Sequence, residues 1–150
     1  MDAKAWEAIR TAFTVIGGLW ALWIYHSNLR LKRAEWLQKL HQQFYESERY
    51  RKVREILDYR PRRELAELHE AVAADASSQL ATDLFDYLNF FEFVAGFAGL
   101  KQLQKQDVQL AFDYPLRMIA RDDVVMAQVD SQGYESLGTL LREFGYTLEK

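Results

Sequence analysis

Residues 79–100, QLATDLFDYLNFFEFVAGFAGL, form the stretch that decides the predicted fold. Their apolar residues recur at helical spacing on two faces. The first face carries Leu80, Leu84, Leu88, Phe91 and Ala95, and the second carries Phe90, Phe93 and Phe97. A helix that is apolar on two faces is normally surrounded by other helices. Since no alternating strand pattern is convincing elsewhere, we expect an all-α bundle built around this segment.

Two shorter helices are expected before this segment. The sequence SERYRKVREILDY predicts a helix that is capped by Ser47 and ends before Pro61. An acidic helix follows over about 62–74, and the sequence ADASS at 74–78 predicts a loop.

Two more helices are expected after it. Asp107 is the predicted cap of a helix that runs through Ala120, in which Pro115 should cause a kink or a break. A final short helix is predicted over 134–144.

Composition limits the chemistry of the protein and shows that its charge is divided into blocks. The chain has 150 residues and no cysteine, which excludes disulfides and thiol chemistry. The net charge of −3 hides a neutral N-terminal end. Residues 30–63 carry eleven Lys/Arg against five Asp/Glu, whereas residues 64–150 carry six against fifteen. We therefore expect an N-terminal segment, 1–29, and a helical domain, 30–150.

The N-terminal segment has the pattern of a membrane anchor. No formal charge occurs from Thr11 to Leu29, and residues 11–25 read TAFTVIGGLWALWIY. We predict a transmembrane helix over about 8–29 that continues into the helical domain. Arg30, Lys32 and Arg33 follow it, so the positive-inside rule places the domain in the cytoplasm. A buried helix of a soluble domain is the alternative, whereas Asp2 and Glu7 disfavour a cleaved signal peptide.

One face of this segment predicts self-association. Small and polar residues recur there at spacings of three and four, and we call this face the seam: Thr11, Thr14, Gly18, Ala21, Tyr25 and Asn28. In lipid, such a face usually packs closely against another helix. A homo-oligomer is therefore expected, and a ring with a polar-lined pore is its stronger form.

A basic face is predicted after the anchor. Its members are Arg49, Arg51, Lys52, Arg54, Arg60, Arg62 and Arg63. Anionic lipid headgroups are its nearest candidate partner, while pairing with the neighbouring Glu46, Glu48 and Glu55 is the alternative. Nucleic acid is less favoured because no aromatic platform accompanies the basic residues.

Catalytic and metal-binding signals are weak in this sequence. Arg63 and His69 match the arginine–x(4–6)–histidine spacing of HEPN-type ribonucleases, in which arginine stabilises the phosphorane and histidine transfers protons. The residue after Arg63 is glutamate, which that pattern does not prefer. The three histidines lie far apart, so we expect neither a metal nor a cofactor, and a non-enzymatic protein.

A polar pair inside the central helix predicts a structural pin. Asn89 and Glu92 lie among apolar residues, and a buried glutamate must be paired, protonated or hydrogen-bonded. An arginine of the basic face is the expected partner. Fixing the register of the helices is favoured over catalysis as the role of this pair.

These motifs together resemble a known kind of protein. The N-terminal span, the Arg51–Arg54 spacing and DYLNFFEFVA followed by GLKQL are similar to a family of small bacterial proteins of unknown function. That resemblance implies one membrane helix and a helical domain. More distantly, the chain resembles the membrane accessory protein of type VI-B CRISPR systems. This similarity implies an inner-membrane pore that acts in antiphage defence and carries a degenerate HEPN-like motif.

The sequence thus predicts a single-pass inner-membrane protein that self-associates through its span, possesses a cytoplasmic helical domain and acts as a defence-type pore or effector. A membrane-tethered ribonuclease that uses Arg63 and His69 is one alternative. A passive adaptor for a cytoplasmic protein partner is the other.

Overall fold

The computed structural model describes residues 3–74 and 78–146. These residues form seven α-helices and no β-strand, so the predicted all-α class is confirmed for this part of the chain. The helices are α1 (Ala3–Glu46), α2 (Glu48–Tyr59), α3 (Arg62–Ala73), α4 (Gln79–Gly99), α5 (Lys105–Arg121), α6 (Asp123–Ser131) and α7 (Glu135–Glu143).

The chain divides into two compact units. The first unit extends to Trp36, and the second begins at Leu37 and holds the remaining residues. The division predicted from charge lies a little earlier, after Leu29. Among the described residues, no helix combines the length and the apolar character needed to cross a membrane. The anchor at about 8–29 therefore stays a prediction.

The second unit has an aromatic core in which Phe44 occupies a central place. This side chain is fully buried, and its ring centroid lies 5.1 Å from that of Phe91 and 5.3 Å from that of Phe90. The fully buried Tyr87 and Phe112 also lie within 6 Å of the Phe44 ring. Aromatic pairs at such separations contribute about 0.5–1.5 kcal/mol each beyond the area that they bury. This cluster connects the end of α1 with α4 and α5.

The central position of α4 is confirmed. This helix packs against α2, α3, α5 and α7. Leu84, Leu88, Phe91 and Ala95 of its first apolar face are buried. On the second face only Phe90 is buried, whereas Phe93 is half-exposed. The expectation that both faces are covered was therefore wrong for part of the second face.

The predicted helix ends are confirmed only in part. Helix α2 ends at Tyr59, before Pro61, as expected. Ser47 precedes α2 in extended conformation, but its side chain makes no capping hydrogen bond among the described residues. The Ser78 hydroxyl, which was not predicted as a cap, accepts a hydrogen bond from the Ala81 amide at the start of α4. Asp107 does not cap a helix, because α5 begins at Lys105 and the aspartate lies in its first turn. The predicted loop at 74–78 lies mainly outside the described residues.

Two features lie in the region between α4 and α7. Pro115 disturbs α5 as expected, and the distortion appears at Phe112, whose φ of −131° is not helical. A proline ring clashes with the carbonyl four residues earlier, so the helix deviates before the proline itself. Helix α6 was not predicted from the sequence. Its first turn is capped by Asp122, whose side chain accepts hydrogen bonds from the amides of Val124 and Val125.

Candidate functional site

The seam lies on α1, and its side chains are exposed. The Thr11 hydroxyl donates to the Glu7 carbonyl at 2.9 Å, and the Thr14 hydroxyl donates to the Arg10 carbonyl at 3.0 Å. Since each hydroxyl is satisfied within its own helix, the seam can enter an apolar environment without an unpaired donor. An added Cβ at Gly18 would meet nothing within 4 Å, so this position leaves room for a neighbouring helix.

Large apolar side chains surround the seam on the same helix. Phe13 is 72% exposed, Leu19 is 62% exposed and Trp23 is 64% exposed. The other exposed members of this apolar segment are Val15, Ile16, Trp20, Leu22 and Ile24. Contiguous apolar surfaces of this kind mark contacts with a partner protein or with a membrane. The first unit therefore presents an uncovered apolar surface with no charged side chain from Thr11 to Leu29.

The predicted basic face is largely engaged within the second unit. Arg49 pairs with Asp86 of α4, and Arg51 pairs with Glu48 at 2.9 Å. Lys52 and Arg62 are exposed and form no ion pair among the described residues. The predicted alternative, pairing with neighbouring glutamates, is thus observed for Arg51.

Arg54 turns inward from this face and binds the end of α1. Its Nη1 donates to the Phe44 carbonyl at 3.1 Å, and its guanidinium lies 5.2 Å from the Tyr45 ring centroid. The last carbonyls of a helix lack partners within the helix and carry partial negative charge. Arg54 therefore helps to fasten the C-terminal end of α1 onto α2.

The structure does not bring Arg63 and His69 into contact. The Arg63 side chain is 90% exposed and pairs with Glu67 at 2.9 Å. His69 instead places its Nε2 3.1 Å from Oδ1 of Asp122. The two residues that the ribonuclease hypothesis combines therefore have different partners, and this placement gives that hypothesis no support.

His69 belongs to a cluster that was not predicted from the sequence. Asp122 is only 1% exposed, and Arg60 Nη2 lies 3.2 Å from its Oδ2. The same carboxylate accepts hydrogen bonds from the amides of Val124 and Val125 at the start of α6. Asp122 and Asp123 precede the apolar run VVM, and an aspartate before such a run is a typical N-cap signal. This signal would have indicated the cap but not the cationic partners.

This cluster brings together residues from three separate parts of the second unit. Arg60 follows α2, His69 lies on α3, and Asp122 separates α5 from α6. Each carboxylate oxygen of Asp122 is already engaged with protein donors. The arrangement can anchor these elements, because the buried carboxylate of Asp122 binds groups from each of them.

Two further polar side chains, Tyr87 and Asp58, lie near the aromatic core. Burial raises the pKa of Tyr87 well above its ordinary value, and the charge of Asp58 raises it further. Burial also raises the pKa of Asp58, whose Oδ1 has no hydrogen-bond partner among the described residues. Both shifts favour the neutral form of the side chain, as expected for groups removed from water.

A hydrogen bond between Tyr146 and Asp113 fastens the segment after α7 to α5. The Tyr146 hydroxyl donates to Asp113, and this bond lowers the pKa of that carboxyl, with help from Arg117. Burial raises the pKa of Tyr146, and its bond to Asp113 adds to the shift. The Arg117 guanidinium also lies 4.9 Å from the Tyr146 ring centroid.

Glu92 is half-buried and hydrogen-bonded, but its partner differs from the expected arginine. Its carboxylate accepts hydrogen bonds from the Ser136 amide at 3.1 Å and the Leu137 amide at 2.7 Å. These amides lie in the first turn of α7, where the helix donors lack partners and a negative charge is favourable. Asn89 is exposed, so its expected burial was wrong.

Open cavities lie among the described residues of the second unit, and the geometry of two of them is clear. One, of about 640 Å³, lies between α4 and α7 beside the Lys105–Glu143 ion pair. The other, of about 330 Å³, lies beside the Arg49–Asp86 ion pair and is lined by Asn89 and Phe93. No group of three or more His, Asp or Glu side chains that could hold a metal ion is found in the described residues.

Comparisons with protein-family models, with curated proteins and with solved structures find no match. Any functional conclusion therefore rests on the residues and contacts of this chain.

Proposed function

We propose that this protein inserts its N-terminal helix into a bacterial inner membrane, self-associates there through the seam and holds its helical domain at the cytoplasmic surface. The single observation that carries the proposal is the uncovered apolar surface of α1 between Phe13 and Ile24. Burying one such side chain away from water gains about 1.5–3 kcal/mol. Eight neighbouring side chains of this kind give a strong drive towards a lipid or protein environment.

The arrangement of polar groups supports lipid as this environment. Residues 11–29 lack formal charge, and the hydroxyls of Thr11 and Thr14 are bonded to the backbone of their own helix. In a bilayer, every polar group must be satisfied within the protein. Arg10 and Arg30 flank the segment, and both have side chains long enough to snorkel to a membrane surface.

Oligomerisation into a pore is the stronger form of this proposal. It draws on the open surface at Gly18 and on the polar members of the seam, with Asn28 at the cytoplasmic end. The resemblance to the CRISPR accessory protein would make such a pore an effector in antiphage defence. An adaptor that only tethers a cytoplasmic partner would share the anchor but would not permeabilise vesicles.

The membrane proposal is tested by Leu19→Arg, with Leu110→Arg as the matched control. Both leucines are exposed, but Leu19 lies in the apolar segment of α1 and Leu110 lies on α5. An arginine at the centre of a membrane helix costs about 2.5–3.5 kcal/mol. We expect the Leu19→Arg protein to lose most of its flotation with phospholipid vesicles, while the wild type and the Leu110→Arg protein float.

Equal flotation of the wild type and both variants would contradict membrane insertion of α1. So would a wild-type protein that stays at the bottom of the gradient. Circular dichroism of each variant should retain the helical signal, so that loss of flotation reports on the bilayer rather than on folding.

A further inference from the structure

The charges that follow the apolar segment point to a specific lipid partner. We infer that Arg30, Lys32 and Arg33 form a binding surface for the headgroups of anionic phospholipids. This inference rests on the proposed membrane function and adds a preference for one class of lipid.

The first observation is that these three cations are uncommitted. Arg30 and Lys32 are exposed and Arg33 is half-exposed. In the described part of the first unit, none of the three forms an ion pair, and their neighbour Glu35 forms none either. Three cations within four residues thus form no ion pair with an acidic side chain in the part of the chain that the structure describes.

The second observation is the contrast with the basic face of the second unit. There Arg49 is held by Asp86, Arg60 by Asp122 and Arg63 by Glu67. A guanidinium that is already paired gives up part of that pairing when it binds another anion. Lys52 and Arg62 of that face form no ion pair among the described residues, but they lie further along the chain from the apolar segment, whereas residues 30–33 follow it directly. The lipid contact is therefore assigned to residues 30–33.

The third observation is the position of the three cations along α1. The uncharged stretch ends at Leu29, so the three cations follow it at the level where phosphate headgroups would lie. They occupy one turn of helix and extend in several directions around it. Each basic residue near an anionic surface strengthens binding by about 1 kcal/mol, or about fivefold. A separate phosphate pocket is not required, because the headgroup layer itself surrounds the helix.

The experiment uses the full chain reconstituted into vesicles and its own tryptophans. Trp20 and Trp23 lie in the apolar segment, where brominated acyl chains would quench their fluorescence. Brominated phosphatidylglycerol is compared with brominated phosphatidylcholine at equal proportion in an otherwise unlabelled bilayer. We expect the wild type to prefer phosphatidylglycerol about tenfold or more, and the preference to fall with rising salt.

The informative variant is Arg30→Gln, Lys32→Gln and Arg33→Gln combined, and the matched control is Arg51→Gln, Lys52→Gln and Arg62→Gln. Both triple variants remove three positive charges from exposed or half-exposed positions. The first should lose the lipid preference, and the control should keep it.

The possible results separate this inference from the proposed function. Quenching by neither lipid overturns the membrane span and the headgroup surface together. Equal quenching by both lipids in the wild type overturns the headgroup surface alone. A preference that survives in the first triple variant, or that disappears to the same extent in the control, also overturns the assignment to residues 30–33.

Discussion

At the scale of single residues, Asp122 binds four groups of the second unit. Its carboxylate is buried and accepts from two amides of α6, from Arg60 and from the His69 ring. Removing one partner of a buried ionic cluster leaves the others desolvated and unpaired, and this costs more than the pair itself contributes. The loss of a helix cap adds to that cost.

Asp122→Ala should therefore lower the free energy of unfolding by about 3 kcal/mol. Urea denaturation followed by circular dichroism measures this change. Asp123→Ala is the matched control, because Asp123 is exposed in the first turn of α6 and makes no ion pair among the described residues. We expect the control to lose less than about 1 kcal/mol.

An Asp122→Ala protein as stable as the control would mean that the cluster does not anchor the fold.

At the scale of helices, α1 carries two adjacent glycines on different faces. Gly18 lies on the seam and Gly17 lies off it, since neighbouring residues point about 100° apart on a helix. An added Cβ meets nothing within 4 Å at either position. Substitutions at Gly17 and at Gly18 therefore place a new side chain on different faces of the helix, and this is the main difference between them.

Gly18→Leu should weaken self-association about tenfold, because a bulky side chain prevents the close approach of two seams. Native mass spectrometry of the detergent-extracted protein measures the oligomer, and dye leakage from vesicles measures the pore. Gly17→Leu should leave both unchanged.

A wild-type protein that is monomeric in detergent and silent in the leakage assay would argue against the pore. Oligomers that persist in the Gly18→Leu protein but not in the Gly17→Leu protein would place the contact on the face of α1 that carries Gly17 rather than on the seam.

Helix α4 shows how one element organises its neighbours. Its first apolar face fills the core, and Glu92 extends from it to the start of α7. The apolar periodicity predicts the buried face because burial follows directly from side-chain spacing. It does not predict the partner of Glu92, which is backbone rather than an arginine and lies 45 residues away.

At the scale of the whole molecule, the two units differ in how they meet their surroundings. The second unit buries Phe44, Tyr87, Phe91 and Phe112 among its own helices. The apolar side chains of the first unit between Phe13 and Ile24 are exposed. The buried aromatic residues of the second unit thus have aromatic neighbours within that unit, whereas these side chains of the first unit are uncovered in the structure.

A fragment of residues 37–150 should therefore fold by itself. We expect cooperative urea unfolding and a monomer in analytical ultracentrifugation, because Leu40 and Phe44 of α1 stay in the fragment. The full chain should associate under the same conditions. A fragment without a cooperative transition, or one that associates as the full chain does, would contradict this division of roles.

The sequence by itself determined the helical class, the central place of residues 79–99, the helix ends near Pro61 and Ser78 and the separation of charge into blocks. These features depend on spacing and on local backbone chemistry, which a linear pattern contains. The tertiary structure alone decided that His69 faces Asp122 rather than Arg63. That choice depends on a left-handed turn at Arg60, with φ of 47°, and on a contact 53 residues away from His69. Side chains that are near in sequence point in different directions on a helix, so only packing could select their partners.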